Sequence, residues 1–266
     1  MEQDQFLGRH QPLTGGAGAT TALLIAAHGE RQPGATNEGV LRIARAIAAR
    51  DLVQEVAAGF INGTPTVKEA LGALAARSII VYPLFAASGY FTRDRLVQLI
   101  DEANGQGRKI EFLPPLGLDP GLPDLVADRI GQVMRENNFA PKSSSAVLLA
   151  HGSRRNPASR EATELVASEV ARREVCRDVR VAFLEEAPRL EQTARSIEGP
   201  AIVVGMFSGD GLHGARDAPR LIAELGRADM VYAGVIGNAA GIEELMERAV
   251  RKALGKTDRH GRGDRC

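Results

Sequence analysis

Displaced by 123 residues, the chain lies over itself: His28-Gly29 falls on His151-Gly152, Arg31 on Arg154, Glu38 on Glu161, Phe60 on Phe183, Pro65 on Pro188 and Arg93-Asp94 on Arg216-Asp217. The register holds without a gap for about seventy residues and includes rarer residue types, which is the signature of an internal repeat. Whatever one half folds into, the other must fold into as well. The join reads as Asn138 to Ser145, a polar stretch carrying Pro141.

Within each half, short apolar or β-branched runs alternate with helical patterns. In the first half, TALLIAA, EVAAGF, RSIIVYPLF and KIEFLPP read as buried strands; AVLLA, VRVAF, AIVVGMF and MVYAGVI repeat them in the second. The intervening segments read as helices over Asn37 to Asp51 with Asn37 as cap, from Thr64-Pro65 onward, over Thr92 to Ala103, and over Leu122 to Asn137. This alternation predicts an α/β protein: two tandem domains, 20–140 and 145–254, each a four-stranded parallel sheet with helices on both faces, related by a pseudo-twofold repeat and facing each other across a cleft. The Gly-rich, polar segment 255–266 reads as a disordered tail, although it holds His260 and Cys266.

Composition removes several functional classes. Lys+Arg and Asp+Glu number 33 each, so the chain has no net positive charge with which to hold nucleic acid. Two cysteines, neither in a Cys-x-x-Cys, supply no disulfide framework, zinc knuckle or iron–sulfur cluster. No apolar run approaches a membrane span, and the first residues lack the apolar core of a secretory signal, so the expected location is the cytoplasm. GGAGATT precedes the first strand and lacks the P-loop lysine, so it reads as a leader and not as a phosphate loop.

Ligands in open parallel sheets bind beyond the carboxyl ends of the strands. Three metal-ligating residue types leave consecutive strands of the second half at that edge: His151 after the first, Glu185 after the second and His213 after the third. Imidazole suits divalent iron, cobalt, nickel, copper and zinc, and a carboxylate completes such a set. The repeat supplies an internal control, because positions kept in both halves serve the fold and positions present in one half serve the chemistry. Glu185 corresponds to Asn62 and His213 to Tyr90, so the first half keeps only His28. Arg216-Asp217 and its twin read first as a local ion pair or helix start, and second as a substrate contact.

His-Gly-Ser-Arg after a first strand, Phe-Leu-Glu after a second, and Gly-x-His followed by Arg-Asp-x-Pro after a third together resemble the class II tetrapyrrole chelatases, over roughly residues 20–250. The resemblance implies the long form of that family, with two fused repeats where short forms are single domains acting as homodimers. It implies ATP-independent insertion of a divalent metal, cobalt first and iron or nickel as alternatives, into sirohydrochlorin or a related tetrapyrrole of cobalamin or siroheme biosynthesis. On this resemblance His151 and His213 hold the metal with Glu185, and the first repeat carries a degenerate site. Arg154, Arg155, Arg216 and His28 face the carboxylates of the macrocycle. The metal is then a substrate, no cofactor is permanently bound, and the chain works as a monomer or weak homodimer, without nucleic acid or membrane. Met206 and Ser208, where many relatives have Pro-Leu-Phe, leave the choice of metal and tetrapyrrole open.

Two rival readings use the same residues. Histidine phosphatases also place His-Gly after a first strand, but need Arg before the His, where this chain has Ala27 and Ala150. A non-catalytic metal or tetrapyrrole carrier of the same fold keeps every motif without turnover.

Overall fold

The structure is a computed structural model; it describes residues 13–14, 21–30, 37–87, 89, 94–105, 107–209 and 211–255. The GGAGAT run, Arg31, Tyr90, Arg93 and the tail with His260 and Cys266 lie outside the described residues, as does the side chain of His213.

The first half contains β1 (Leu13–Thr14), β2 (Thr21–Ala27), α1 (Glu38–Ala48), β3 (Glu55–Phe60), α2 (Val67–Ala73), β4 (Ser78–Leu84), α3 (Leu96–Ala103), β5 (Lys109–Phe112) and α4 (Leu122–Glu136). The second contains β6 (Ser145–Ala150), α5 (Ala158–Ala171), β7 (Asp178–Phe183), α6 (Leu190–Arg195), β8 (Ala201–Gly205), α7 (Ala218–Glu224), β9 (Met230–Val235) and α8 (Ile242–Ala253). The sheets run β1-β3-β2-β4-β5 and β7-β6-β8-β9, and every neighbouring pair is parallel except β1 with β3. In both halves, then, the first long strand is central and the second and third flank it. The four-stranded parallel sheets expected from the alternation are present. The first gains a fifth, two-residue strand, Leu13–Thr14, which pairs antiparallel with the open edge of β3.

The repeat holds in three dimensions. Ala22 pairs with Glu55 and its counterpart Ser145 with Asp178. The peptide bonds Thr64-Pro65 and Ala187-Pro188 are both cis. The gapless register ends before the last unit, since Gly117 answers Gly237 and Leu122 answers Ile242, an offset three residues shorter. Two helix starts differ from expectation in part. Pro65 does not open α2, because its carbonyl still accepts the Phe60 N–H at 2.9 Å; Thr66 caps the helix instead, in a reciprocal capping box with Glu69. Asn37 holds the N-cap position of α1 as expected, but in a left-handed conformation, φ 51°, with its side chain bonded elsewhere.

Alternation along the strands sorts the core into three layers. Ala22, Leu24 and Ala26 face an outer cluster closed by α2 and α3; Val147 and Leu149 face its counterpart closed by α6 and α7. The opposite faces, with Leu23, Ile25 and Tyr82 on one side and Leu148, Ile202 and Val204 on the other, belong to one central cluster with α1, α4, α5 and α8. The halves therefore share their largest core. Their last helices cross over: α4 packs against α5, β8 and β9, and α8 packs against α1 and β4. Ion pairs follow the crossing, with Arg42 to Glu243 at 2.6 Å, Arg50 to Glu244 at 2.6 Å, and Arg173 to Asp124 at 2.6 Å. Arg129 Nε donates to the Ala233 carbonyl at 2.9 Å.

Candidate functional site

Each His-Gly turn has the same backbone. β2 and β6 end one residue before the histidine, and Gly29 and Gly152 both take φ +72°. A Cβ on Gly29 would stand 2.6 Å from the Asn62 carbonyl oxygen, and one on Gly152 would stand 2.8 Å from Phe183 Cβ. Only glycine satisfies both the dihedral and the space, so the glycine serves the turn in both copies. The histidine carbonyl then holds the next loop: Asn62 N–H donates to His28 O at 2.7 Å, and Glu185 N–H to His151 O at 2.9 Å. This brings the second-strand position beside each histidine, as the strand order demands.

The bracing around the turns differs. In the first half Asn37 Oδ1 accepts from Glu30 N at 2.9 Å, and Asn37 Nδ2 donates to Glu30 O at 3.4 Å. In the second, Glu186 Oε1 accepts from Ser153 N at 3.0 Å, and Glu186 Oε2 takes Arg160 Nη2 at 2.8 Å. Arg160 also lies over the Phe183 ring, 4.6 Å from its centroid, and Ser159 Oγ accepts from Gly152 N at 3.2 Å. The Arg160 hydrogen bond holds the Glu186 carboxyl below its usual range. Glu186 thus fixes the loop that carries His151. Sequence reasoning missed it and Arg160, because their counterparts are Gly63 and Asn37 and nothing in the spacing links them.

Both turns open on one cavity of about 550 Å³ between the halves. His28, Glu30 and Glu38 line it from the first half; His151, the segment Met206 to Gly209, Gly211, Gly214 and Asn238 line it from the second. This is the sheet edge where strand order reverses, between β2 and β4 and between β6 and β8, where open α/β sheets bind ligands. The loop after β8 is tightly seated. A Cβ on Gly214 would lie 2.3 Å from Val235 Cγ1, Tyr232 Oη donates to Gly214 O at 3.0 Å, and a Cβ on Gly237 would lie 2.3 Å from Ser208 O.

The expected site residues divide around this cavity. His28 and His151 line it. His213 lies in the single π-helical turn Leu212–Asp217 that follows β8, between the cavity-lining Gly211 and Gly214. Glu185 is exposed beside His151 and is not part of the lining. Arg154, Arg155 and Arg216 are exposed beyond the cavity, and among the described residues none of their guanidinium groups is held in an ion pair. Asp217 stands at the N-cap position of α7 and lies 3.9 Å from Arg220. Among the described residues no three His, Cys, Asp or Glu side chains stand together as a ready metal cluster. Half-burial lowers the His28 pKa, partly offset by the charge of Glu30, and Asn62 Nδ2 lies 3.2 Å from His28 Nε2.

The family described as CbiX matches residues 22–133 and again residues 145–253. The chain belongs to the CbiX family. Over 220 residues it is 25% identical to a "Probable sirohydrochlorin cobaltochelatase" of Halobacterium salinarum, covering 74% of this chain and 75% of that protein. A "Sirohydrochlorin cobaltochelatase" of Methanothermobacter thermautotrophicus is 30% identical over 129 residues, 41% of this chain and 89% of that one. A solved structure of CbiX, described as the terminal enzyme for biosynthesis of siroheme in denitrifying bacteria, superposes with TM-score 0.72 at 28% identity, covering 88% and 99% of the two chains. SirB from Bacillus subtilis subspecies spizizenii, in complex with cobalt, shares the fold at TM-score 0.70 and 16% identity, over 90% and 97%. This CbiX protein is an enzyme of the metal-chelatase class. Among the described residues no helix is long and apolar enough to cross a membrane.

Proposed function

We propose that the chain inserts a divalent metal, cobalt first and iron or nickel as alternatives, into sirohydrochlorin or a related tetrapyrrole of cobalamin or siroheme biosynthesis, without ATP. The observation that carries this reading is the single cavity onto which both His-Gly turns and the β8 loop open. Its volume falls within the range of roughly 300–1,000 Å³ for small-molecule sites. It takes the reacting centre of a flat macrocycle while the carboxylate arms stay outside. There Arg154, Arg155 and Arg216 are exposed and meet them by charge-assisted bonds.

The reaction exchanges a hydrated divalent ion and two pyrrole N–H groups for a metallated macrocycle and two protons. In this reading residues 145–254 carry the metal site. His151 and His213 are the imidazole donors that hold the ion with positions left open for pyrrole nitrogens, and Glu185, beside His151, is the carboxylate at the rim. Residues 20–140 carry the degenerate copy, where His28 contacts the macrocycle. Arg160 and Glu186 keep the His151 loop in place, so that the imidazole need not be ordered when the ion arrives. The relatives named sirohydrochlorin cobaltochelatases support the substrate.

The test mixes apoprotein, sirohydrochlorin and a panel of cobalt, iron and nickel, and follows absorbance. Multiple turnovers are expected, fastest with cobalt. A spectral change that stops at one equivalent of protein would replace this reading with that of a carrier.

A further inference from the structure

The internal control points to one more residue of the cavity. The first copy reads His-Gly-Glu where the second reads His-Gly-Ser, so Glu30 has no carboxylate counterpart at Ser153. Its backbone is pinned on both sides by Asn37, which fixes where the side chain departs. The side chain crosses the cleft: Glu30 Oε1 lies 2.4 Å from where a Cβ on Gly211 would stand, so the carboxylate rests against the β8 loop two residues before His213. Gly211 is the residue that makes room for it. The Glu30 charge also reaches the His28 ring. Glu30 lines the cavity with His151, whereas Glu185 stands outside the lining.

Resting on the chelatase reading, we propose that Glu30 is the carboxylate with which the first half holds the divalent ion in the cleft, in the cavity it lines together with His151. Two neutral imidazoles bring no charge to offset a dication, and a carboxylate is the donor that completes such a set. The degenerate half lost the Asn62 and Tyr90 positions as ligands, yet it returns one donor from the third residue of its turn. The metal site is then assembled across the cleft and not within the second half alone.

The experiment titrates cobalt into the apoprotein without tetrapyrrole by calorimetry, for wild type, Glu30→Gln, Gly211→Ala and Glu185→Gln, with circular dichroism to check folding. Glu30→Gln keeps the shape and removes the charge. It is expected to weaken cobalt binding by at least about tenfold, the lower end of what loss of a metal-site partner does, and to raise the KM for metal more than the KM for tetrapyrrole. Gly211→Ala, which pushes a methyl group against the carboxylate, is expected to weaken cobalt in the same direction. Cobalt affinity unchanged in a folded Glu30→Gln, or a change confined to the KM for tetrapyrrole, overturns the proposal. Wild-type protein that binds cobalt through Glu30 but never metallates sirohydrochlorin would leave this site standing and remove the substrate reading instead.

Discussion

Gly152 and His151 are neighbours with separable duties. Replacing Gly152 by Ala forces a side chain into φ +72° and into Phe183. The expected loss of stability is about 1–3 kcal/mol, the range for a strained backbone position, and urea denaturation measures it; Gly29→Ala should behave alike. The histidines should not behave alike. His151→Ala and His213→Ala are expected to abolish most insertion, because each removes one of two imidazole donors from the proposed site. His28→Ala is expected to act mainly on stability or on the KM for tetrapyrrole. Initial insertion rates of the three folded variants decide it, and an equal loss of rate in His28→Ala would mean that both halves feed one site and would remove the assignment of the chemistry to the second half.

At the scale of elements, the strands were legible because strands buried on both faces read as unbroken apolar runs, and Leu23 through Ala26 is such a run with no exposure at all. Helix starts were less legible. Thr64-Pro65 has the composition of a helix opening, but Phe60 N–H claims the Pro65 carbonyl and keeps the chain extended for one more residue. The real cap, Thr66, is expected to contribute about 1 kcal/mol, so Thr66→Ala should lower the urea midpoint accordingly. The counterpart in α6 is weaker. Arg189 N–H donates to Gln192 Oε1 at 2.8 Å, but a guanidinium cannot accept the return bond. The site followed the same division. His28 and His151 could be placed from strand order alone, whereas the approach of Glu30 to Gly211 depends on how two sheets face each other, and no periodicity records that. The crossing of α4 and α8 was invisible for the same reason, since an amphipathic stripe does not name its partner.

For the whole molecule, the shared core means that neither half is complete. Leu148, Val204 and Met246 pack in one cluster with Leu23, Ile25 and Val126. Residues 1–140 or 145–266 expressed alone are expected to aggregate or self-associate, and co-expression is expected to restore a soluble pair; size-exclusion chromatography separates the outcomes. One buried group is expected to make the stability of this core depend on pH. Asp119 accepts from Tyr82 Oη at 3.2 Å and from Gly121 N at 2.9 Å. Burial lifts its carboxyl above the usual range, against the pull of Gly121, Tyr82, and Arg248 and Lys252 of α8. A carboxyl with a raised folded pKa supports the fold fully below its ordinary value of about 3.9 and withdraws that support as pH rises through the folded value. Asp119→Asn should therefore gain on wild type as pH rises above about 4 in urea denaturation, and a difference that does not change with pH would rule this out.

The covalent join between the two copies has a consequence for how such a molecule can change. In an assembly of two identical single repeats, every substitution arrives twice, once on each wall of the cleft, and a lost ligand is lost from both. Here each codon writes to one wall only. Asn62 can differ from its counterpart Glu185, Gly63 from Glu186, and Glu30 from Ser153, because they are inherited separately. The crossed helices keep the walls together while their sequences drift apart, so one wall is free to specialise in the ion and the other in the ring that receives it.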